Sequence, residues 1–377
     1  MTAPLPFDDL DPQRDDYATR VVQRILDAAV SAGASDIHFD AGAQGIDIRW
    51  RLAGNLLPLC SLPDGVSTSI MSRIKVLARL VTYRRDIPQE GRMVLGDQHI
   101  EARVGTLPTL HGERAVIRIV AKQTQAWLPE HLGLSLQTLA SLHCALQSAS
   151  GVLLITGTAG AGKTTTAYAC VREILQMQPT YRSVVTLEDP IESEMTGAAQ
   201  SQINAAVGYD WTAGLKALLR QDPEVMLVGE VRDPQTAAVV FQAAMTGQLV
   251  ITTMHARSSS DAIRRLLDMQ VPVHHLRSAL NLLMCQRLVR GACTACRGRG
   301  LATCTVCHGT SYAGRILLAE LFPVIDGEIA SLLLSDPNSG TLQHAAERQG
   351  MQSLQSLAAQ AVAAGQIHAN EVERYQL

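Results

Sequence analysis

Hydrophobic residues recur along the chain with two different periods, and their arrangement predicts a first domain. Apolar side chains fall three and four positions apart at residues 17–32 and again at 67–81, which predicts two amphipathic helices. Apolar and polar residues alternate, as in half-buried strands, at 36–39, 46–51, 99–107 and 115–119. This mixture of helices and strands predicts a small α/β domain that ends near Val120.

A second pattern begins after a polar connection at residues 121–132. A helical period returns at 135–147 and is followed by a short, mostly apolar run. Such runs, which predict buried strands, occur at 151–156, 182–187, 225–229 and 249–253. Helical segments separate them, and this alternation predicts a parallel sheet with helices on both faces. The residues after Ile316 are predicted to be mostly helical.

The composition narrows the function classes. A chain of 377 residues with 47% hydrophobic residues has room for two or three domains. Its net charge of −3 argues against a protein that coats nucleic acid, although it does not exclude a local basic patch. The sequence contains neither a run of about 18 apolar residues nor the basic and apolar start of a signal peptide. We therefore expect a cytoplasmic protein that serves any membrane process as a peripheral part.

A glycine-rich segment directly follows the first apolar run of the second domain. Residues 157–164 read GTAGAGKT and match the pattern GxxxxGK[ST] between a predicted strand and a predicted helix. The glycines allow backbone N–H groups to turn toward phosphate oxygens, Lys163 would reach the β- and γ-phosphates, and Thr164 would hold Mg²⁺. An ordinary glycine-rich turn would leave the Lys–Thr pair unexplained. The predicted nucleotide-binding residues are Gly157, Thr158, Ala159, Gly160, Ala161, Gly162, Lys163, Thr164 and Thr165.

Carboxylates follow two later strands. Glu188 and Glu192 come after the second apolar run, and Glu230 comes after the third, with Asp233 close behind. The carboxyl ends of parallel strands line the ligand crevice of such a sheet, so these carboxylates could bind Mg²⁺ or orient water. The alternative is a surface ion pair, and it is stronger for Glu192 and Asp233 than for the other two.

Four cysteines form two CxxC pairs. In a reducing compartment this pattern favours metal over disulfides, and four thiolates favour a closed, structural Zn²⁺ site. His308 is adjacent, but the cysteines already fill the coordination shell. An empty or redox-active loop is the alternative, and the basic residues of the loop leave a nucleic-acid-binding zinc knuckle open. The predicted zinc ligands are Cys293, Cys296, Cys304 and Cys307.

An ordered series of motifs resembles the secretion ATPase superfamily of GspE, PilB and PilT type, the motors of type II secretion and of type IV pilus assembly and retraction. The resemblance runs from about Tyr17 to the C-terminus. Its motifs are ASDIHF at 34–39, RDIPQEGR at 85–92, RVGTLP at 103–108, HGERAVIR at 111–118, EDPIE at 188–192, LRQDP at 219–223, GEVRD at 229–233, TGQLVITTMH at 246–255 and QRLVR at 286–290. The full set in this order is far more specific than any one motif.

The resemblance implies an α/β fold with a small PAS-like N-terminal domain, a RecA-like P-loop ATPase domain on a parallel sheet, a zinc-knuckle insertion and a helical tail. The implied cofactors are ATP, Mg²⁺ and Zn²⁺. On this basis the chain divides into a flexible N-terminus at 1–16, the N-terminal α/β domain at 17–120, a linker at 121–134, the ATPase core at 135–290, the four-cysteine loop at 291–316 and a C-terminal helical region at 317–377.

The resemblance also implies roles for single residues. Arg103 and Arg118 match family arginines of the N-terminal domain that reach the nucleotide and stabilise charge on the transferring phosphoryl group. Arginines that merely decorate a strand surface are the alternative. The implied catalytic residues, which would handle Mg²⁺, the attacking water and the γ-phosphate, are Glu188, Glu192, Glu230 and His255.

The implied protein is a homo-hexamer that uses ATP to move its domains and passes that movement to a platform protein of the inner membrane. Paired CxxC motifs are typical of the secretion and assembly branches and favour assembly of a type IV pilus or type II pseudopilus. The short stretch before the first helix weakly favours the alternative, a motor for pilus retraction, DNA uptake or conjugation. Gln248 replaces the first histidine of the family's His box and cannot become charged. This departure leaves open a nucleotide-gated scaffold that does not hydrolyse ATP.

Overall fold

The structure is a computed structural model in which residues 10–375 are described, except residues 53, 64, 97–99, 121–126, 178–181, 302, 308, 324 and 336. The chain divides into two compact units. The first contains the described residues among 1–124 together with Ala292–Gly314, and the second contains the described residues among 125–291 and 315–377. The predicted flexible N-terminus and linker lie partly, and His308 wholly, outside the described residues.

The first unit is a six-stranded sheet that shares one hydrophobic core with two helices. The strands have the order β3-β2-β1-β6-β5-β4, and every neighbouring pair is antiparallel. Its elements are α1 (Tyr17–Ser31), β1 (Asp36–Gly42), β2 (Gly45–Leu52), β3 (Asn55–Pro63), α2 (Ser67–Leu77), β4 (Gln89–Leu95), β5 (Ile100–Thr109) and β6 (Gly112–Val120). The predicted face of α1 is buried through Val21, Val22, Ile25, Leu26 and Ala29.

Helix α2 ends earlier than the predicted residue 81. Arg79 has a φ angle of 58°, in the left-handed region. Its N–H donates to the oxygen of Val76 at 3.1 Å, and the N–H of Leu80 donates to the oxygen of Lys75 at 2.8 Å. These two bonds form a Schellman motif, which closes a helix. Glycine usually occupies the left-handed position. Because an arginine stands there, the end of the helix could not be recognised from the sequence.

The second unit carries the other sheet and most of the helices. Its strands are β7 (Gly151–Thr156), β8 (Val184–Glu188), β9 (Ala199–Gln202), β10 (Val225–Val228), β11 (Leu249–Met254), β12 (Leu280–Ala292) and β13 (Tyr312–Phe322). Its helices are α3 (Leu136–Leu146), α4 (Lys163–Gln176), α5 (Trp211–Leu218), α6 (Pro234–Met245), α7 (Ser259–Asp268), α8 (Val273–Ala279), α9 (Gly327–Ser335), α10 (Ser339–Arg348), α11 (Leu354–Ala363) and α12 (Ala369–Tyr375), with 3-10 turns at Pro129–Leu132 and Ala205–Val207. No helix in the described part of the chain is both long and apolar enough to cross a membrane.

The second sheet has the order β13-β12-β7-β11-β10-β8-β9, and it is parallel from β12 to β9. Helices cover both of its faces. Val152 and Leu154 of β7 belong to the hydrophobic core on one face, while Leu153 and Ile155 belong to a separate core on the other. The predicted parallel sheet with helices on both faces is confirmed.

The sequence analysis did not predict β3, β4, β9, β12 or β13 as strands. β12 is buried on both faces for most of its length, so its apolar residues run together instead of alternating. β13 extends to Phe322, into the region predicted to be mostly helical, and the helices begin only at Gly327. Burial on both faces therefore removed the alternating period that would have identified β12 as a strand.

Candidate nucleotide-binding site

The glycine-rich segment connects the carboxyl end of β7 to the first residue of α4, as predicted. β7 is fully buried, and Gly157, Gly160 and Gly162 have φ angles of 150°, 72° and 85°. A Cβ atom at Gly157 would lie 2.4 Å from the backbone oxygen of Gln286, so a larger residue does not fit there. The segment therefore curls tightly in front of the N-terminus of α4, where N–H groups and the helix dipole favour an anion.

Lys163 begins α4, and its side chain folds back over this loop. Its Nζ donates hydrogen bonds to the backbone oxygens of Gly157 at 3.1 Å and Thr158 at 3.2 Å. Burial lowers the pKa of Lys163, and the nearby carboxylate of Glu230 opposes that shift. The ammonium group is thus held at the centre of the loop, within reach of any phosphate bound there.

Two residues of β12 hold the loop from the side of the sheet, and neither of them was predicted to have a role. Gln286 is fully buried; its Nε2 donates to the oxygen of Ala161 at 2.7 Å, and its Oε1 accepts from Thr166 Oγ1 at 3.0 Å. Arg287 donates from Nη1 to Thr158 Oγ1. These contacts join residues that are at least 120 positions apart. The QRLVR motif was the one sequence signal that could have drawn attention to them.

Three of the predicted catalytic residues follow the carboxyl ends of neighbouring strands. Glu188 is the last residue of β8, Glu230 lies two residues after β10, and His255 directly follows β11. His255 lies between two charged groups, with Nε2 3.1 Å from Glu230 Oε1 and Nδ1 3.4 Å from Lys163 Nζ. Arg232 donates to Glu230 Oε2 at 2.8 Å. The order β7-β11-β10-β8 therefore collects these side chains along one edge of the sheet.

Glu188 is buried and rigidly held, with 3% of its surface exposed. Its Oε1 accepts hydrogen bonds from Thr186 Oγ1 at 2.6 Å and Gln200 Nε2 at 3.1 Å, and its Oε2 accepts one from the hydroxyl of Tyr168. The same hydroxyl accepts a hydrogen bond from the backbone N–H of Glu192 at 3.0 Å. Burial, together with the neighbouring Glu188, raises the pKa of Tyr168. Tyr168, which the sequence did not single out, therefore positions both carboxylate-bearing segments.

One cavity of about 210 Å³ brings these groups together. A larger cavity of about 900 Å³ lies along β13 in the same unit and contains none of the predicted site residues. Because phosphate and Mg²⁺ need charged and polar partners, the smaller cavity is the candidate nucleotide-binding site. Its lining includes six predicted residues, Lys163, Thr164, Glu188, Glu192, Glu230 and His255. By contrast, the carboxylate of Asp233 caps the N-terminus of α6 through Thr236.

The two predicted nucleotide-binding arginines lie in the first unit, on neighbouring strands. Arg103 of β5 stands opposite Arg118 of β6 on one side and opposite Arg92 of β4 on the other, and Arg103 and Arg118 are exposed. Arg118 donates from Nε to Asp36 at 2.8 Å. Burial alone would raise the pKa of Asp36, but the hydrogen bond and charge of Arg118 hold it below its usual range. A part for these arginines in nucleotide binding stays a prediction.

The four predicted zinc ligands converge between β12 and β13. The Sγ atoms of Cys293 and Cys304 are 3.8 Å apart, those of Cys296 and Cys307 are 3.5 Å apart, and all four lie within 4.8 Å of one another. Zn–S bonds of about 2.3 Å place sulfurs roughly 3.8 Å apart around a tetrahedral ion. Backbone N–H groups of residues 306 and 307 lower the pKa of Cys304, which favours the thiolate. The donor set fits a structural Zn²⁺ site, in which four sulfurs leave no position for substrate.

The family described as Type II/IV secretion system protein matches residues 11–374. The chain belongs to this family. It is a secretion ATPase of GspE/PilB type, as the ordered motifs predicted.

Individual relatives agree with this assignment, and solved structures share the fold. The secretion ATPase is 36% identical over 372 residues to the Type II secretion system protein HxcR of Pseudomonas aeruginosa, a match that covers 97% of this chain and 78% of the relative. It is 32% identical over 363 residues to the Type IV pilus assembly ATPase PilB of Thermus thermophilus, covering 89% of this chain and 40% of PilB. Among solved structures, the Legionella pneumophila ATPase DotB has a TM-score of 0.73 at 22% identity, covering 96% of each chain. The pilus retraction motor PilT with bound ADP has a TM-score of 0.62 at 23% identity, covering 94% of this chain and 96% of that chain. These two structures support the fold.

Gln248 of this secretion ATPase lies far from the candidate nucleotide-binding site. It stands just before β11, whereas His255 stands just after that strand. At about 3.3 Å per residue, the seven steps between the two residues span about 23 Å. The backbone oxygen of Gln248 accepts from the N–H of Gly151, at the start of β7, and its side chain accepts from Thr246. Gln248 therefore lies at the amino ends of the parallel strands, whereas Lys163 lies at their carboxyl ends.

We expect the Tyr168→Phe variant of the secretion ATPase to lower kcat for ATP hydrolysis roughly tenfold while KM changes little. The substitution removes one hydrogen bond to a carboxylate, worth about 1.5 kcal/mol, and leaves Glu188 held by two others. Steady-state phosphate release over a range of ATP concentrations measures both constants. Tyr209→Phe is the matched control, because its hydroxyl bonds Ser201 at 2.7 Å outside the cavity. An unchanged kcat, or a loss confined to KM, would show that Tyr168 does not position Glu188.

Proposed function

We propose that this chain is an ATP-hydrolysing, homo-hexameric motor that powers assembly of a type IV pilus or a type II pseudopilus. The observation that carries the proposal is the single cavity that joins Lys163 and Thr164 to Glu188, Glu230 and His255. A phosphate-binding loop alone could bind a nucleotide without hydrolysing it. Carboxylates and a histidine on the facing strand ends add what hydrolysis requires, namely Mg²⁺ ligands and a group that orients water.

Each residue of the cavity has a chemical task in this proposal. Lys163 stabilises charge on the β- and γ-phosphate oxygens, and Thr164 and Glu230 hold Mg²⁺, directly or through water. Glu188 orients the attacking water, because its three hydrogen bonds fix the carboxylate in one rotamer. Glu192 lies on the same cavity wall and adds negative charge for the metal ion.

His255 couples the state of the nucleotide to the protein. It contacts Lys163 on one side and Glu230 on the other. A γ-phosphate competes with His255 for Lys163, so binding and hydrolysis exchange one set of contacts for another. Such an exchange is the local charge change from which a conformational transition can start.

In this proposal, arginines of the first unit stabilise the transition state with their positive charge. Arg103 and Arg118 are exposed arginines on adjacent strands, and a pair of guanidinium groups suits the oxygens of a transferring phosphoryl group. Their engagement would link hydrolysis to movement of the unit that carries them.

Assembly is favoured over retraction by two observations. The relatives above 30% identity include proteins named for type II secretion and for pilus assembly, whereas PilT matches at 23% and speaks only for the fold. The four-cysteine cluster, which we propose binds Zn²⁺, is the feature that the sequence associated with the assembly and secretion branches. We propose that the movement is received by a platform protein of the inner membrane, so that the motor acts there as a cytoplasmic, peripheral component.

The proposal is tested on the purified chain with ATP and Mg²⁺. We expect phosphate release that EDTA abolishes, and light scattering with a non-hydrolysable ATP analogue should give six times the mass of the chain.

Glu230→Gln should lower kcat at least tenfold while nucleotide binding persists, because a ligand of the metal ion changes its charge. A chain that remains monomeric, or that releases phosphate without Mg²⁺, would refute the motor. A strain without the gene should lack the filament; a piliated but immobile strain would indicate retraction.

A further inference from the structure

Three side chains of types that can bind metals meet in the second unit, and none of them belongs to the nucleotide cavity or to the four-cysteine cluster. Glu130 lies in the 3-10 turn Pro129–Leu132, His143 in the last turn of α3, and Glu173 in α4. His143 Nε2 is 3.3 Å from Glu130 Oε1 and 3.5 Å from Glu173 Oε2. All three ligand atoms lie within 4.8 Å of one another. We call these residues the Glu–His–Glu cluster.

Two buried polar atoms at the centre of the cluster lack hydrogen bonds. The Nε2 atom of His143 and the Oε2 atom of Glu173 are both buried, and neither has a hydrogen-bond partner among the described residues. Both carboxylates approach the ring nitrogen, yet neither accepts a hydrogen bond from it. Burial raises the pKa of Glu173; His143 opposes that shift and Glu130 adds to it. Two carboxylates thus lie beside a single imidazole ring, which can balance at most one of their two negative charges.

The spacing fits coordination better than hydrogen bonding. With metal–ligand bonds of about 2.1 Å, two ligand atoms of a tetrahedral ion lie roughly 3.4 Å apart. The separations of 3.3 Å and 3.5 Å match that value. A hydrogen bond from a ring N–H is usually shorter, about 2.7–3.2 Å, with the acceptor close to the N–H direction.

We propose that Glu130, His143 and Glu173 form a second metal site, which takes a divalent ion of the zinc class. Imidazole nitrogen suits Zn²⁺ and Co²⁺, whereas Mg²⁺ and Ca²⁺ take sites made of oxygen. Three protein ligands leave one position for water. The site differs in chemistry from the cysteine cluster because it offers no sulfur.

A bound ion would tie the start of the second unit to the helix that follows the phosphate-binding loop. Glu130 lies a few residues after position 125, where the second unit begins, and Glu173 shares α4 with Lys163. Ten residues of helix separate Glu173 from Lys163 by about 15 Å, so the ion would lie outside the nucleotide cavity. Its role is therefore structural, and its test does not depend on ATP hydrolysis.

The proposal is tested by Co²⁺ titration of the metal-free full-length chain under reducing conditions. We expect two Co²⁺ ions per chain at micromolar concentrations. One gives thiolate-to-metal charge-transfer bands in the near ultraviolet, and the other gives only visible ligand-field bands. His143→Ala should lose the second ion and keep the first, and Glu173→Gln should weaken the second ion at least tenfold.

The matched control is His344→Ala, because Nδ1 of His344 is 3.7 Å from the carboxylate of Glu347 and, within the described part of the chain, His344 belongs to no cluster of three possible metal ligands. It should retain both ions. Glu130→Gln, at a side chain that is 49% exposed, tests the site again if His143→Ala does not fold. Binding of one ion per chain, a second ion only at millimolar Co²⁺, or two ions in His143→Ala would overturn the proposal and leave an ordinary ion pair.

Discussion

The Lys163→Ala variant is expected to hydrolyse ATP about 10²–10³ times more slowly than the wild-type chain, because it lacks the cation that stabilises phosphate charge in the transition state. Lys163 is 91% buried in the loop, and its Nζ is held by Gly157 and Thr158 beside His255. Among the residues that the structure describes, no other lysine lines the cavity. Phosphate release at saturating ATP measures the loss, and nucleotide binding by fluorescence separates it from weakened affinity.

Lys163→Ala should leave the fold largely intact. Burial lowers the pKa of Lys163, so part of the cost of placing a charge there is removed with the side chain. Thermal unfolding of the variant should therefore lie within a few degrees of the wild type. Lys216→Ala, on the exposed face of α5, is the matched control and should keep the wild-type rate. A Lys163→Ala rate within fivefold of the wild type would exclude this loop as the hydrolytic site.

The candidate phosphate-binding loop and the positions of the carboxylates were predictable because each depends on local order along the chain. A buried strand, a glycine-rich turn and a helix follow one another at 151–176, and Glu188 and Glu230 directly follow apolar runs. Parallel strands then bring their carboxyl ends to one edge, whichever helices connect them. The lining of one cavity by these residues is a consequence of sheet topology.

The supporting contacts could not be predicted because they join distant positions. Gln286 and Arg287 fix the loop across more than a hundred residues, and Tyr168 reaches Glu188 from the neighbouring helix. Side-chain direction decides each of these contacts, and an apolar or polar pattern carries no information about it. The end of α2 was predicted wrongly for a related reason, because an arginine with a left-handed backbone conformation, such as Arg79, is unusual.

Gln248 shows how topology can remove a concern that the sequence raises. A histidine replaced within a motif suggests damage to catalysis when the motif is read as one unit. The strand that separates Gln248 from His255 places the two residues at opposite edges of the sheet. Within one chain, this separation weakens the argument for a scaffold that does not hydrolyse ATP, and the phosphate-release assay decides between the two.

Replacement of Cys296 by serine is expected to abolish tight zinc binding at the four-cysteine cluster and to unfold the segment around it. The cysteines and Ala313 form a hydrophobic cluster of their own, so the segment has little other core. Structural zinc contributes about 10–16 kcal/mol of apparent binding free energy in small zinc domains, and most of the order here should depend on it. Metal analysis should show the loss of one zinc ion, and amide hydrogen exchange should become fast at residues 292–314.

Chelation of the wild-type chain should produce the same exchange, and restored zinc should reverse it, because the metal and not the serine is the cause. Cys144→Ser is the matched control: Cys144 is exposed and lies outside the cluster, so its zinc content and exchange should equal the wild type. Charge-transfer bands of bound Co²⁺ report the thiolates specifically and are unaffected by an ion held by carboxylates and imidazole. Slow exchange at 292–314 in the metal-free chain would mean that hydrogen bonds such as Cys293 N–H to Ser311 O hold the segment without zinc.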